Sequence, residues 1–283
     1  MNRTWIFIPG NQTKHIDKAP TLSADNIIFD LEDSVASEEK EGARLKIKKA
    51  INELDTKARK FVRVNEINSP YFLDDISAVV SQKLDGLFIP KVNGKENIQL
   101  TEYLIAQFEA RNNVETGSIS LVPLIETGKG LLHAYEIAKA SDRIETLAFG
   151  AEDFMLDMNI PKDEGNALLM ARSNLVMTSN AAGIQPPIDA VYTDIHHEDG
   201  LQQATKEAKE LGFQGKLIIH PKQLEVVNNI FLPTESELRK ARKIVEAYEA
   251  SRQNGIGAIQ VDGKMIDVPV AERAKRLLEN VSV

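Results

Sequence analysis

The sequence predicts a (β/α)8 TIM barrel with a C-terminal helix–hairpin–helix extension. Short apolar segments recur eight times between residues 4 and 220, and longer amphipathic stretches separate them. Continuous runs of Val, Ile, Leu and Phe are typical of parallel strands buried on both faces, and their alternation with helices is typical of an α/β fold. A chain of 283 residues has room for one barrel of this kind and a tail.

The predicted strands begin mostly about 30 residues apart, which leaves room for a helix after each one. They are Thr4–Ile8, Asn26–Leu31, Lys60–Asn65, Gly86–Lys91, Ile119–Glu126, Thr146–Gly150, Ile188–Tyr192 and Lys216–His220. The predicted helices are Glu38–Leu54, Asp74–Lys83, Asn97–Arg111, Gly130–Ser141, Asn166–Ala182 and Leu201–Leu211. A doubly wound open sheet is the alternative, but it usually carries a glycine-rich G-x-G-x-x-G turn after its first strand. The first turn here is Pro9-Gly10-Asn11 and lacks that pattern.

We assign residues 1–221 to the barrel and residues 222–283 to the extension. Thr234 and Glu237 form a capping-box pattern that begins a helix. Asp262-Gly263 is a strong signal for a two-residue hairpin, and a last helix follows it. A lone hairpin is marginally stable in water. We therefore expect the extension to pack on its own barrel or to cap a site of a neighbouring subunit.

Composition excludes several classes of protein. The net charge is −8, and an acidic chain is a poor candidate for binding nucleic acid over its surface. No segment reaches the 18 or so uninterrupted apolar residues of a membrane span, and the apolar run near the N-terminus is too short for a signal peptide. We therefore expect a cytoplasmic protein that binds neither nucleic acid nor membranes. The absence of cysteine excludes disulfides, thiolate metal sites and a cysteine nucleophile.

Acidic residues cluster where the predicted strands end, which is the face that carries the active site of a TIM barrel. Asp30, Glu32 and Asp33 close the second strand, Glu126 closes the fifth, and Asp153 follows the sixth. One such acid is equally well explained as an exposed loop residue, but several buried together need a cation or an arginine between them. Glu126 and Asp153 are expected to bind Mg²⁺ or Mn²⁺, because these ions prefer hard oxygen ligands and retain positions for water and substrate.

Arg63, in the third predicted strand, is the basic residue best placed to act on a substrate. Its planar guanidinium is suited to a two-bond contact with a substrate carboxylate or a developing enolate oxygen. An internal ion pair with Glu32 or Asp33 is the alternative. Both interpretations hold together if these acids orient the arginine.

The remaining basic residues carry weaker signals. Lys14 and Lys18 follow the first strand and could bind phosphates, although a solvated helix face explains them equally well. His220 ends the last strand and could act as a base or a ligand, but a core histidine bonded to the backbone is the more ordinary explanation. His196 and His197 lie in a polar loop and are expected to be solvated.

These motifs, in this order, resemble the family of the citrate lyase beta subunit, the malyl-CoA and citramalyl-CoA lyases and the related class II aldolases. The matching segments cover nearly the whole chain. They are Arg3-Thr4-Trp5-Ile6-Phe7-Ile8-Pro9-Gly10, Phe29-Asp30-Leu31-Glu32-Asp33-Ser34-Val35, Val62-Arg63-Val64-Asn65, Ile89-Pro90-Lys91, Ile125-Glu126-Thr127, Phe149-Gly150-Ala151-Glu152-Asp153, Gly212-Phe213-Gln214-Gly215-Lys216 and Gly263-Lys264-Met265-Ile266-Asp267-Val268-Pro269. The D-L-E-D and G-x-E-D segments are specific in combination.

The resemblance implies a barrel that binds Mg²⁺ through Glu126 and Asp153 and contacts the oxygens of its substrate through Arg63. It also implies assembly as a homotrimer or a hexamer, in which Asp267 reaches a neighbouring subunit's site and acts as acid/base on the acetyl methyl. The tail that carries Asp267 favours the thioester-cleaving branch over the pyruvate aldolases. The segment Ile219-His220-Pro221, where citrate lyase beta subunits often have asparagine before the proline, favours a stand-alone CoA-thioester lyase.

The expected function is Mg²⁺-dependent, reversible cleavage of a 3-hydroxyacyl thioester such as citramalyl-CoA, malyl-CoA or a citryl thioester. The products are an oxo acid and an acyl thioester, and the thioester carrier is CoA or an acyl carrier protein. Arg63 and the metal stabilise oxygens whose charge changes, and Asp267 delivers the proton to the enolate carbon. The alternatives are a retro-aldol lyase acting on 4-hydroxy-2-oxo acids, a non-catalytic subunit of a citrate lyase-like complex, and a phosphoenolpyruvate-binding barrel, which would need a more basic mouth.

Overall fold

The computed structural model describes residues 2–161, 165–253 and 257–279. Residues 254–256 and 280–283 of the predicted extension lie outside these ranges. The chain forms two compact units, of which one covers Asn2–Asn229 and the other begins at Ile230. Among the described helices, none is long and apolar enough to cross a membrane.

The first unit is a closed barrel of eight parallel strands in the order of the sequence. The strands are β1 (Thr4–Pro9), β2 (Asn26–Asp30), β3 (Arg59–Arg63), β4 (Gly86–Ile89), β5 (Ser120–Ile125), β6 (Ala148–Phe149), β7 (Ile188–Asp189) and β8 (Gly215–Ile218). Pairing of Thr4 in β1 with Lys216 in β8 closes the barrel. The predicted TIM barrel is therefore confirmed, and all eight strands lie where the apolar segments predict them.

Helices separate the strands. They are α1 (Thr13–Lys18), α2 (Lys40–Glu53), α3 (Phe72–Val79), α4 (Lys95–Arg111), α5 (Gly128–Leu132), α6 (Ala134–Ala138), α7 (Ala151–Asp157), α8 (Gly165–Ala182), α9 (Glu198–Leu211) and α10 (Gln223–Phe231). The sequence does not predict α1, α7 and α10; α1 and α7 have only six and seven residues and show too little of a 3.6-residue period. The single helix predicted over residues 130–141 is wrong, since it breaks at His133 into α5 and α6.

Three aromatic side chains fill the inside of the barrel. Trp5, Phe61 and Phe88 are fully buried, and their ring centroids lie 4.9 to 5.9 Å apart. Gly86 makes room for this packing, because a Cβ atom there would lie 2.4 Å from the Phe61 ring. The barrel interior is thus a packed core of side chains, and a cavity remains at the carboxyl ends of the strands.

The second unit contains the predicted helix–hairpin–helix extension. Its elements are α11 (Glu235–Gln253), β9 (Ile259–Val261), β10 (Lys264–Ile266) and α12 (Val268–Glu279), with β9 and β10 antiparallel. The predicted capping box begins α11, where the backbone N–H of Glu237 donates to Thr234 Oγ1 and that of Thr234 donates to Glu237 Oε2. Asp262 and Gly263 both have positive φ, of 50° and 76°, as a two-residue hairpin turn requires.

Candidate active site

A cavity of about 430 Å³ opens at the carboxyl ends of the barrel strands. Phe7, Leu124 and Val191 contribute apolar walls. The charged lining consists of Asp30, Asp33, Arg63, Glu126, Glu152 and Asp153. Most of the charged residues predicted at the strand ends therefore surround one space large enough for a small organic acid.

Arg63 is held in one orientation by the acids that follow β2. Asp30 accepts two parallel hydrogen bonds from it, at 2.7 Å from Nε and 2.8 Å from Nη2. Glu32 and Asp33 approach Nη1 at 3.0 and 3.2 Å, and the guanidinium lies 4.8 Å from the centroid of the Phe7 ring. The structure thus combines the two interpretations of Arg63, because the arginine is paired internally and still faces the cavity.

Asp30 stays ionised and serves as the anchor of this cluster. Its Oδ1 accepts the backbone N–H of Glu32 at 2.9 Å, and its Oδ2 accepts that of Ser34 at 3.1 Å. Burial alone would raise the pKa of Asp30, but the charge and hydrogen bonds of Arg63 and these two N–H groups hold it below its usual value. Burial likewise opposes the charge of Arg63, whose pKa the neighbouring carboxylates nevertheless raise.

Glu126 follows β5 and is 2% exposed. Its Oε1 accepts the backbone N–H of Lys91 at 2.7 Å, and Lys91 adopts a left-handed backbone conformation with φ of 51°. Gly150 is required on the other side, because a Cβ atom there would lie 2.4 Å from Glu126 Oε2. The glycine of the G-x-E-D segment therefore makes the space in which the Glu126 carboxylate sits.

The cavity has more negative charge than its cations balance. Burial raises the pKa of Glu126 to about 8, and the charges of Glu32 and Asp153 add to the effect. Burial also raises the pKa of Glu32 to about 7, although Arg63 opposes it. One oxygen of Glu32 is buried without a hydrogen bond and lies 3.6 Å from the Lys91 ammonium. Hard carboxylate oxygens with too little counter-charge fit a divalent cation such as Mg²⁺.

Asp153 follows β6, as the sequence predicts, and lies beside Glu126 in the first turn of α7, where it is half-buried. Among the residues that the structure describes, no group of three or more His, Asp and Glu side chains forms a ready metal site.

The other predicted residues lie outside this cluster. Lys14 and Lys18 are exposed on α1. His220 is half-buried, and its Nδ1 accepts the backbone N–H of Lys222 at 3.2 Å, which fits the more ordinary explanation of that residue. Asp267 lies one residue after β10 and caps α12, where its Oδ1 accepts the N–H of Val270 at 3.3 Å.

Sequence reasoning missed the roles of Lys91 and Phe7 in this site. Lys91 positions Glu126 through a backbone N–H, and no side-chain motif reports such a contact. The available signal was its place at the end of the fourth predicted strand, directly after Pro90. Phe7 reads as one more apolar residue of β1, and only the closed barrel brings its ring beneath Arg63.

Comparisons with known proteins agree with this architecture. The family model described as HpcH/HpaI aldolase/citrate lyase matches residues 3–221. The citrate lyase subunit beta of Leuconostoc mesenteroides subsp. cremoris is 36% identical over 281 residues, which cover 99% of this chain and 93% of that protein. The mitochondrial citramalyl-CoA lyase of Rattus norvegicus is 33% identical over 289 residues, with 98% and 85% covered.

A solved structure shows the same fold over the full length. The protein CitE from Mycobacterium tuberculosis, in complex with magnesium, acetoacetate and coenzyme A, is 27% identical and superposes with a TM-score of 0.82. The alignment covers 100% of this chain and 98% of that one. The resemblance predicted from the motifs is confirmed: the chain belongs to the HpcH/HpaI aldolase/citrate lyase family and is a lyase.

Proposed function

We propose that the chain catalyses Mg²⁺-dependent, reversible cleavage of a 3-hydroxyacyl-CoA thioester such as citramalyl-CoA or malyl-CoA. The observation that carries the proposal is a single cavity that combines a fixed arginine, Arg63, with the buried carboxylate of Glu126 and the neighbouring Asp153. The names of the relatives support it, since one is a citramalyl-CoA lyase and a structural neighbour was solved with magnesium and coenzyme A.

Arg63 binds the oxygens on which charge develops. The carbon–carbon bond between the hydroxyl carbon and the α-carbon of the thioester breaks, the hydroxyl proton passes to solvent water, and an oxo acid forms. The bonding electron pair passes to the thioester as an enolate. Because Asp30 fixes the guanidinium plane before substrate arrives, little reorganisation is needed to bind a carboxylate or an enolate oxygen.

Glu126 and Asp153 would hold the Mg²⁺ ion. When bound, the ion supplies Lewis acidity toward the hydroxyl and carboxylate or carbonyl oxygens of the substrate. The protein contributes a preformed site, in which Lys91 and Gly150 fix the Glu126 carboxylate from two sides. Burial and the neighbouring acids raise the pKa of Glu126 to about 8, which means that positive charge is lacking around its carboxylate. Bound magnesium would supply that charge.

Asp267 is the proposed acid/base toward the acetyl methyl, acting in the site of a neighbouring subunit. Its side chain is half-exposed, and Oδ2 makes no hydrogen bond or ion pair within the described ranges. Capping of α12 through Oδ1 fixes the carboxylate while leaving that oxygen available. A positioned carboxylate with one free oxygen is suited to giving and taking one proton.

Exposed apolar residues support self-association as a homotrimer or hexamer. Leu132, Leu156 and Met170 are 84%, 77% and 75% exposed on α5, α7 and α8. α5 packs on α8, and the N–H of Gly128 at the start of α5 donates to Asp157 at the end of α7, so these elements are neighbours. Exposed apolar groups on neighbouring elements favour contact with another copy of the chain over contact with water.

The exposed Lys14 and Lys18 are proposed to contact the phosphates of the CoA carrier. They lie on α1, which follows β1 and so begins at the same end of the barrel as the cavity. CoA is proposed over an acyl carrier protein on the strength of the segment Ile219-His220-Pro221.

The test is a substrate panel with the full chain. Citramalyl-CoA, malyl-CoA, a citryl thioester on acyl carrier protein and a 4-hydroxy-2-oxo acid are each incubated with enzyme and Mg²⁺, and the oxo acid released is measured by NADH-coupled reduction. We expect turnover of one CoA thioester that EDTA abolishes and Mg²⁺ restores. Release from the hydroxy-oxo acid alone would identify a retro-aldol lyase, and turnover of the carrier-protein thioester alone a complex subunit; either result contradicts the proposal.

A further inference from the structure

The segment from Asp30 to Ser34 sets the orientation of Arg63. Asp30 accepts hydrogen bonds from the backbone N–H groups of Glu32 and Ser34, so the side chain that grips Arg63 is itself tied to the backbone of this segment. The N–H of Leu31 donates to the carbonyl of Arg63 at 2.9 Å. A rotation of the peptide groups between Asp30 and Ser34 would therefore move the guanidinium.

Lys40 contacts this segment through two of its backbone carbonyls. It lies at the start of α2, is 6% exposed, and its ammonium donates to the carbonyls of Leu31 at 2.8 Å and Glu32 at 3.0 Å. The face of the Tyr71 ring lies 5.3 Å from the same ammonium. Within the described part of the chain it makes no ion pair with a carboxylate. A buried ammonium is costly unless its donors are satisfied, so this lysine is committed to the two carbonyls.

A second restraint meets the first at the carbonyl of Leu31. Asn65, two residues after Arg63, donates to the same oxygen from Nδ2 at 3.0 Å. Asp75 fixes Asn65 in turn by accepting its backbone N–H at 2.9 Å and its side-chain N–H at 2.6 Å. The Leu31 carbonyl thus accepts from both Lys40 and Asn65, and the Glu32 carbonyl accepts from Lys40 and from the backbone N–H of Val35 at 3.2 Å.

We propose that Lys40 is a positioning residue for Arg63: its ammonium fixes the Leu31 and Glu32 peptide groups, and through Asp30 the plane of the guanidinium. The proposal rests on the proposed function in that Arg63 binds the substrate's oxygens there. Loss of the ammonium leaves the Leu31 carbonyl to Asn65 and the Glu32 carbonyl to the Val35 N–H, so the segment loosens, Asp30 tilts and Arg63 moves out of line. A displacement of about 1 Å in a positioning group can lower a rate by about 10²-fold.

The test compares Lys40→Met with Lys60→Met. Lys60 is also buried, at 9% exposure, and its ammonium also donates to a main-chain carbonyl, that of Ile51 at 2.7 Å. It lies near the amino end of β3, three residues before Arg63, and its register partner in β2 is Ile27, which precedes the Asp30–Ser34 segment. Methionine keeps the apolar stem and removes the charge in both variants. Lys60→Met therefore reports the general cost of removing a buried ammonium.

The first measurement is backbone hydrogen exchange, which needs neither substrate nor Mg²⁺. We expect exchange in peptides covering residues 30–35 to be at least about tenfold faster in Lys40→Met than in wild type, because N–H groups that donate to Asp30 open more often. Lys60→Met should leave this segment at the wild-type rate. Equal exchange in this segment for the two variants would overturn the proposal.

The second measurement is the kinetics of the CoA-thioester reaction. Lys40→Met should lower kcat by about 10- to 100-fold with KM within a few-fold of wild type, since a misaligned Arg63 is felt most in the transition state. Lys60→Met should keep the wild-type kcat. If wild type shows no turnover, the proposed function fails, and hydrogen exchange still decides the role of Lys40.

Chemical rescue separates the ammonium from general packing. The chain contains no cysteine, so Lys40→Cys has a single thiol that can be aminoethylated while the chain is unfolded and then refolded. The product carries an ammonium on a side chain close to the length of lysine, whereas alkylation with iodoacetamide gives a neutral control. We expect only the aminoethylated protein to recover wild-type exchange in residues 30–35. If Lys40→Met does not fold, Lys40→Gln and Lys60→Gln replace the pair, and equal recovery by both alkylated forms contradicts the proposal.

Discussion

Two buried glutamates at opposite ends of β5 differ in how their charge is balanced. Glu109, on α4, is 0% exposed and lies beside the start of the strand, where the Ile119 N–H donates to it at 3.4 Å. Arg143 donates to its two oxygens at 2.7 and 2.6 Å, and the Gly117 N–H adds a contact at 3.0 Å. The Arg143 guanidinium thus supplies the counter-charge of Glu109, both of whose oxygens are hydrogen-bonded, while the more exposed Glu102 lies 3.6 Å from Arg143 Nε.

Glu126 is almost as buried at the other end of the strand, but its hydrogen bond comes from the neutral N–H of Lys91, and acids are among its neighbours. Its pKa is raised to about 8 by burial, whereas the hydrogen bonds from Arg143 hold the pKa of Glu109 below its ordinary value of 4.5. A buried carboxylate by itself therefore does not mark a functional site. A functional site is indicated by a buried carboxylate that lacks a counter-charge from the protein, because only such a carboxylate leaves a position for a cation from solution.

The largest expected effect is that of Glu126→Gln on activity. The amide keeps the shape and the acceptor for the Lys91 N–H but removes the carboxylate that we propose as a metal ligand. A bound metal ion contributes several kcal/mol to transition-state stabilisation, so we expect turnover to fall by about 10³-fold or more and Mg²⁺ no longer to raise the Tm.

The same variant in EDTA tests the charge comparison. Because burial opposes ionisation of Glu126 and the amide is neutral at every pH, the metal-free Tm of Glu126→Gln should equal or exceed that of metal-free wild type. Asp153→Asn is the companion variant and should also lose Mg²⁺ dependence with its fold intact. Full metal-dependent turnover in either variant would show that the ligands lie elsewhere.

Arg63→Lys should be nearly as damaging as Arg63→Ala. A lysine keeps one positive charge among the acids but cannot donate the two parallel hydrogen bonds that Asp30 accepts from the guanidinium. It also cannot make the two-bond contact that we propose with a substrate carboxylate. Loss of one such donor lowers the rate by about 10²- to 10³-fold in comparable sites. The check is kcat/KM for the two variants, and a lysine variant within a few-fold of wild type would mean that Arg63 only balances charge.

Mixing two inactive variants tests whether sites are shared between subunits. Asp267→Asn should keep metal and substrate binding but lose proton exchange at the acetyl methyl, and Glu126→Gln lacks the metal site. If each site takes Glu126 from one chain and Asp267 from the next, a random equal mixture restores about one quarter of the sites.

Subunit exchange must be shown in the same experiment, for instance by mass labelling of one variant. A site completed within one chain would give no rescue, so inactive mixtures despite proven exchange would refute the shared site.

The positions of the strands and of the acids at the strand ends follow from the sequence, whereas the ion pairs do not. Continuous apolar runs indicate buried strands, so the bounds of Asn26–Asp30 and of the later strands are predicted to within a few residues. Which charged residues form ion pairs depends on how the helices pack against one another. Glu109 reads as a surface residue of α4, and nothing in the local pattern shows that Arg143, 34 residues away, meets it. The contacts of Lys40 likewise cannot be predicted from the sequence, because its partners are backbone carbonyls.

The smallest expected effect on activity, and the largest on stability, is that of Glu109→Gln. Removing one partner of a buried ion pair typically costs about 3–5 kcal/mol, and Arg143 would keep only the more distant Glu102 as a counter-charge. We expect the free energy of unfolding in urea at pH 7 to fall by about that amount, while kcat and Mg²⁺ dependence stay at the wild-type level. Replacing glutamate by glutamine should thus lower activity at Glu126 and stability at Glu109. A loss of Mg²⁺ dependence in Glu109→Gln would contradict this difference between the two ends of β5.

Acid should erase the stability difference between wild type and Glu109→Gln. Burial would raise the pKa of Glu109, but the bonds from Arg143 hold it below the 4.5 of an unfolded chain. An acid whose pKa is lowered by folding stabilises the native state fully above its unfolded pKa, and that contribution disappears as the pH falls through the folded pKa. The wild-type urea midpoint should therefore drop between pH 5 and pH 3 more steeply than that of Glu109→Gln, which has no proton to take up at this position. Parallel curves would mean that Arg143 stabilises the neutral carboxyl equally well and that Glu109 is not the balanced charge that distinguishes its end of β5 from the cavity.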